Sequence, residues 1–274
     1  MTLARALPTL SPMKAYQDPA FLGGEDARAV RILSEYLAPL AAFHEHHVRD
    51  TIVFFGSARQ GEDGPFARFY QDARELARLV TTWSKEVSNG SERFLVCSGG
   101  GGGIMEAANR GAAEAGGRTI GLNIGLPHEQ RPNPYVKPEL LFEFHYFFMR
   151  KLWFSHLARA LIVFPGGFGT LDELSELLTL SQTQKLERQI PIVLYGSSYW
   201  NEILNFEALV RHGMIDRSDL DLISFVDDPA AALRLLQAKL PTHPEPVTPA
   251  FAKSRRPGGT GTPQAGPGST GGRP

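Results

Sequence analysis

Two glycine-rich runs and a few charged residues beside them are the parts of this sequence that could do chemistry. The run PGGFGTLDE occupies 165–173 and CSGGGGGIME occupies 97–106. Glycine lets a backbone come close to a ligand, and the first N–H groups of a helix opening after such a turn have no acceptor within the helix. Together these features make a seat for an anion such as a phosphate. Five consecutive glycines, 99–103, also lose more backbone entropy on folding than a plain connection requires. A third turn, at 56–59, offers a glycine, a hydroxyl and a guanidinium. The candidate ligand contacts are therefore Gly56 and Ser57, then Gly99, Gly100, Gly101 and Met105, and finally Gly166, Gly167, Phe168, Gly169 and Thr170.

The charged residues have two readings each. Thr170 and Glu173 have the spacing of a capping box, in which the carboxylate bonds back to the helix start. Alternatively, Glu173 in the first turn of a helix beside an anion seat could act as a base or stabilise a cation. Asp172, Glu176 and Thr179 fall on an adjoining face, which suits either a solvated surface or further ligand contacts. Arg150 and Lys151 open the helix that follows a strand at 141–144. Cations are unfavourable near a helix N-terminus, so a shared anion would account for them there. Glu106 and Arg110 have the spacing of an i,i+4 ion pair.

Other chemistries lose support. The dinucleotide fingerprint GxGxxG would need glycine at Ile104 or at Asp172, and no Gly-Lys-Ser/Thr follows either glycine run,. His44, His46 and His47 lie on a helix ahead of the first strand and read as surface or interface residues. Sequence spacing suggests no functional constellation for His128, His145 or His156. Cys97 is the only cysteine, which excludes an intramolecular disulfide and fits a reducing, cytoplasmic setting. The net charge of −1 argues against general binding to nucleic-acid polymers or anionic membranes. No metal site and no cofactor are expected.

These residues need a frame to bring them together, and the pattern supplies one. Short β-rich runs at 51–55, 94–97, 119–122, 141–144, 161–164, 190–194 and 222–226 alternate with helical patterns at 27–47, 65–86, 103–115, 146–158, 170–185, 198–212 and 229–239,. Strand–helix alternation predicts an α/β fold, a Rossmann-like doubly wound parallel sheet of about seven strands with helices on both faces. With 42% hydrophobic and 21% charged residues, the 274-residue chain can bury a sizeable core,. We expect one domain over 26–241, a flexible arm over 1–25, and a disordered Pro/Gly-rich tail over 242–274. In such sheets ligands lie beyond the carboxyl ends of the strands, where the three turns fall.

PGGFGTLDE matches the PGGxGTxxE signature of the LOG family, the phosphoribohydrolases formerly labelled lysine decarboxylases. Arg150-Lys151 matches that family's upstream pair, and SGGGGGIMEAANRGA resembles the second turn of its longer bacterial members. The resemblance covers about residues 50–240. It implies a usually dimeric Rossmann-like enzyme that hydrolyses nucleoside 5′-monophosphates to free base and ribose 5-phosphate. By motif it makes Arg150 and Glu173 the catalytic pair, the 166–170 turn the phosphate loop and Lys151 a substrate contact. Asp172 departs from the Glu of many members, and the long GLPHEQRPNPYV loop leaves the base open. The alternative on the same fold is a non-catalytic nucleotide or cofactor carrier, similar to molybdenum-cofactor carrier proteins.

Overall fold

The computed structural model describes residues 13–90, 92–125, 131–186 and 188–241. His128 and the 242–274 tail lie outside them, as does 1–12 of the expected arm. Residues 13–25 include α1 (Pro19–Gly23), capped by the Asp18 carboxylate. Arg31 of α2 (Arg28–Glu45) donates to the carbonyls of Leu22 and Gly24, tying this segment to the next helix.

Seven strands form one parallel sheet: β1 (Asp50–Phe55), β2 (Phe94–Ser98), β3 (Thr119–Ile124), β4 (Leu141–Phe144), β5 (Ala158–Val163), β6 (Ile192–Tyr195) and β7 (Ile223–Val226). The remaining helices are α3 (Ala67–Glu86), α4 (Ile104–Glu114), α5 (Phe147–Leu157), α6 (Phe168–Gln182), α7 (Ser197–Ile203), α8 (Phe206–Arg211) and α9 (Pro229–Lys239). The expected helix at 198–212 is two helices. Leu204 is extended, and the Asn205 side chain accepts from Ala208 N–H to start α8. β5 starts at Ala158, directly after α5 and ahead of the expected 161, because it pairs with β1 from Thr51 onward.

Central β1 is buried along its length, and its period of two feeds two cores. Ile52 and Phe54 pack with α3, α4 and α9 through Leu76, Val80, Ala107 and Leu236. Val53 and Phe55 pack on the other face with Phe43, Trp153, Phe154, Leu174 and Trp200. The sheet is thus covered on both faces, as the alternation predicts. Trp153 and Phe154 of α5 are core, whereas Phe147 and Phe148 are exposed. No helix among the described residues is long and apolar enough to cross a membrane.

The strand order is β4-β3-β2-β1-β5-β6-β7. The chain builds outward from β1 to β4, then returns to place β5 on the other side of β1. Such a reversal favours a crevice at the carboxyl ends of β1 and β5, next to which α6 and the glycine turns begin.

Candidate active site

Backbone hydrogen bonds join the three turns. Ser57 N–H donates to the Pro165 carbonyl at 3.0 Å, and Ile104 N–H donates to the Ser57 carbonyl at 3.0 Å. Close packing explains several glycines here. A Cβ on Gly56 would lie 2.7 Å from Ile104, and one on Gly103, where φ is +64°, would lie 2.3 Å from the Ser57 oxygen. Ser57 Oγ accepts from Arg59 N–H, closing the first turn on itself.

The second turn is braced by a buried polar network that the sequence patterns did not single out. Ser98 Oγ donates to Asn109 Oδ1 at 2.7 Å and accepts from Gly100 N–H. Asn109 Nδ2 donates to Thr119 Oγ1 at 2.7 Å. Asn133 crosses over the turn. Its N–H donates to the Gly100 carbonyl at 2.8 Å, and its Nδ2 donates to the Gly101 carbonyl at 3.0 Å and to Asn109 Oδ1 at 2.8 Å. The usable signal was Asn109, an amide within the Ala-lined buried face of α4. Asn133 gave no periodic signal, because it sits in an irregular loop.

Beside these turns lies the Arg150–Glu173 pair, with Nη1 3.1 Å from Oε1 and both side chains almost entirely buried. Arg150 Nε donates to the Leu122 carbonyl at 2.8 Å, and the guanidinium lies over the Phe154 ring. Three contacts therefore fix the cation. Burial pushes the Glu173 carboxyl up to about 7, with Arg150 opposing the shift,. A carboxyl poised near neutrality, ion-paired with a fixed cation, can stabilise developing positive charge or orient water,.

The capping-box expectation does not hold. α6 begins at Phe168 with Gly167 as its cap residue and no side-chain cap bond, so Thr170 is already inside the helix. Glu173 then falls in the second turn rather than the first, and reaches Arg150. The Glu106–Arg110 pair is also not formed: Arg110 pairs with Glu114 and Glu62, while Glu106 accepts from Tyr70 OH.

The remaining candidates divide. Gly99 and Met105 face Arg150: a Cβ on Gly99 would lie 2.6 Å from both Arg150 Nη2 and Met105 Sδ. Lys151 Nζ bridges Asp172 at 2.7 Å and Glu176 at 3.0 Å, a clasp between α5 and α6. Thr179 is exposed and donates to the Ser175 carbonyl on its own helix. Six residues beyond Glu173, it lies about 9 Å further along α6 and does not join the others.

Gly166 and Thr170 pack together, since a Cβ on Gly166 would lie 2.1 Å from Thr170 Oγ1. Tyr199 OH donates to the Gly166 carbonyl at 2.6 Å and braces the turn from outside. Gly167 and Gly169 differ: added Cβ atoms would meet nothing within 4 Å, and Phe168 between them is 92% exposed. α6 has no acidic residue in its first turn, whereas α4 has Glu106 there. Elsewhere α8 and α9 are capped by Asn205 and Asp228, and the Glu35 carboxylate accepts from His145 and Tyr146 N–H at the start of α5. Among the described residues no group of three His, Cys, Asp or Glu side chains could hold a metal ion.

A family model described as "Possible lysine decarboxylase" matches residues 105–236. The chain is 25% identical over 218 residues to a probable cytokinin riboside 5′-monophosphate phosphoribohydrolase of Oryza sativa subsp. japonica, covering 78% of this chain and 82% of the relative. It is 27% identical over 173 residues to a pyrimidine/purine nucleotide 5′-monophosphate nucleosidase of Escherichia coli K12, covering 58% of this chain and 37% of that longer protein. Among solved structures, a Moco carrier protein from Chlamydomonas reinhardtii is 25% identical with a TM-score of 0.44, covering 70% of this chain and 99% of that one. With the PGGxGTxxE run, the Arg-Lys pair and the parallel sheet in place, the chain is similar, at a distance, to the LOG/lysine decarboxylase-like family.

Proposed function

We propose that the protein is a hydrolase that cleaves the N-glycosidic bond of nucleoside 5′-monophosphates, of the AMP or cytokinin ribotide type, to free base and ribose 5-phosphate. The observation that carries this reading is the buried Arg150–Glu173 pair beside a helix start where no protein atom requires Gly167 or Gly169. The phosphate sits at the open turn 166–170, where the N–H groups at the start of α6 and the helix dipole favour an anion. Anchored there, the ribose brings C1′ towards Glu173. As the C1′–N bond breaks, positive charge builds on the sugar, as in glycoside hydrolysis. Ionised Glu173 stabilises that charge and orients the water whose oxygen bonds to C1′. Its fixed contacts support Arg150 as the group that orients this carboxylate. Lys151 acts through the α5–α6 clasp, with Asp172 as its partner.

The test is incubation of purified protein with AMP and other nucleoside monophosphates, followed by assay for free base. Glu173→Ala should lose about a hundredfold or more in turnover. A loss of less than about tenfold would remove the role given to the carboxylate. Because the ionised form is active, the rate should rise with pH through a midpoint near 7. Binding of nucleotides with no base released would instead support the carrier reading. The homodimer implied by the resemblance would draw on exposed Phe147 and Phe148; a monomeric mass by light scattering would exclude it.

A further inference from the structure

Asn133 lies in the long GLPHEQRPNPYV loop, yet it is buried and makes four hydrogen bonds. Three of them are donated to Gly100, Gly101 and Asn109, and one is accepted by Oδ1 from Tyr135 N–H. No charged group takes part. Two of these bonds hold successive carbonyls of the glycine run. In a trans peptide the C=O and N–H of one plane point in opposite directions. The N–H groups sharing planes with the Gly100 and Gly101 carbonyls are those of Gly101 and Gly102. Holding both carbonyls on the loop side therefore aims both amides at the opposite side of the turn. The same run is bonded through Ile104 to Ser57, and Ser57 to Pro165 at the open turn.

We propose that Asn133 is a positioning residue that presets the Gly101 and Gly102 amides as a donor pair for an oxygen of the bound nucleoside monophosphate. This rests on the nucleotide reading above. A glycine run left to itself samples many backbone states, including left-handed ones such as Gly100 at φ +70° and Gly103 at φ +64°,. Fixing two of its peptide planes before the ligand arrives removes an ordering loss from the binding step. The amides serve the ground state and the transition state alike, so the residue acts on affinity rather than on the chemical step.

The experiment compares the full-length protein with Asn133→Ala and Asn133→Asp. Titration calorimetry reads AMP binding, steady-state assays separate KM from kcat, and circular dichroism monitors the fold. The aspartate keeps the acceptor for Tyr135 N–H and, when ionised, removes both side-chain donations at nearly constant volume. Each variant should bind AMP about tenfold more weakly and raise KM by a similar factor, with kcat held within about threefold. Folded variants that bind AMP within about twofold of the parent overturn the proposal. So does a loss confined to kcat. Should neither variant fold, hydrogen exchange in the parent decides: AMP must slow exchange across 99–103, and unchanged exchange in the AMP-bound protein overturns the proposal. A parent that binds no nucleoside monophosphate overturns the nucleotide reading itself, and the role of Asn133 with it.

Discussion

At the turn after β2, a methyl added to Gly103 would lie 2.3 Å from a carbonyl oxygen, and one added to Gly100 would lie 3.1 Å from the Gly121 backbone. At the turn after β5, a methyl on Gly167 or Gly169 meets nothing within 4 Å. The two runs look alike as text. In the fold, Gly100 and Gly103 of the first are demanded by neighbouring backbone and by their positive φ. Those at 167 and 169 answer to no protein atom. A glycine that packing does not require has its reason in something that approaches the chain, which is the ground for placing the ligand's phosphate there.

Substitution can break that comparison. Gly103→Ala introduces both strain at positive φ and a clash, and should destabilise by about 3 kcal/mol, read as a lower midpoint in denaturant unfolding. A near-neutral result would show that the second turn has room to give. Glu173 should produce an effect of similar size through pH. Its folded pKa of about 7 lies above the 4.5 of a solvated glutamate, so the folded state holds the extra proton between those values. Its contribution to stability is therefore full below about pH 4.5 and is lost as pH rises towards about 7, to a total of about 3 kcal/mol. Glu173→Gln should flatten this part of the stability–pH curve. An unchanged slope would mean that the carboxyl is solvated.

At the open turn, Gly169→Ala should leave the fold as stable as before, or about 0.5–1 kcal/mol more so, because it removes freedom from the unfolded chain. AMP affinity should nevertheless fall about tenfold, the equivalent of about 1.4 kcal/mol, in a titration. Tight binding by this variant would end the claim that the space above Gly169 belongs to a ligand. The smallest effect is expected from Phe168→Ala, with stability unchanged to within about 0.5 kcal/mol because the ring is almost wholly exposed,.

Much of the architecture was legible because it rests on local patterns. Strand–helix alternation marked all seven strands, and the alternate burial of Ile52, Val53, Phe54 and Phe55 follows from a strand's period of two,. Element ends were less legible, because pairing sets them: β5 begins at Ala158 through its register with β1. The helix expected over 198–212 breaks because the Asn205 side chain competes for backbone N–H groups, a choice that apolar spacing does not record,. Within the site, the turns and the candidacy of Arg150 and Glu173 were readable from residue types and family resemblance, but not the contact between them. The place of Asn133 was not, since the three groups it donates to lie 24 to 33 positions away and belong to no repeat.

The amino-acid sequence by itself determined which residues could do chemistry and that they would gather at one edge of a parallel sheet, because hydrophobic period and glycine turns are local properties. Only the tertiary structure decided which carboxylate is buried against which cation. Thr170–Glu173 has the spacing of a cap and Glu106–Arg110 that of an ion pair. Yet Glu173 meets Arg150 from another helix, and Arg110 turns to Glu114 and Glu62. Spacing along one helix offers partners, but desolvation and the packing of helices across the sheet select among them.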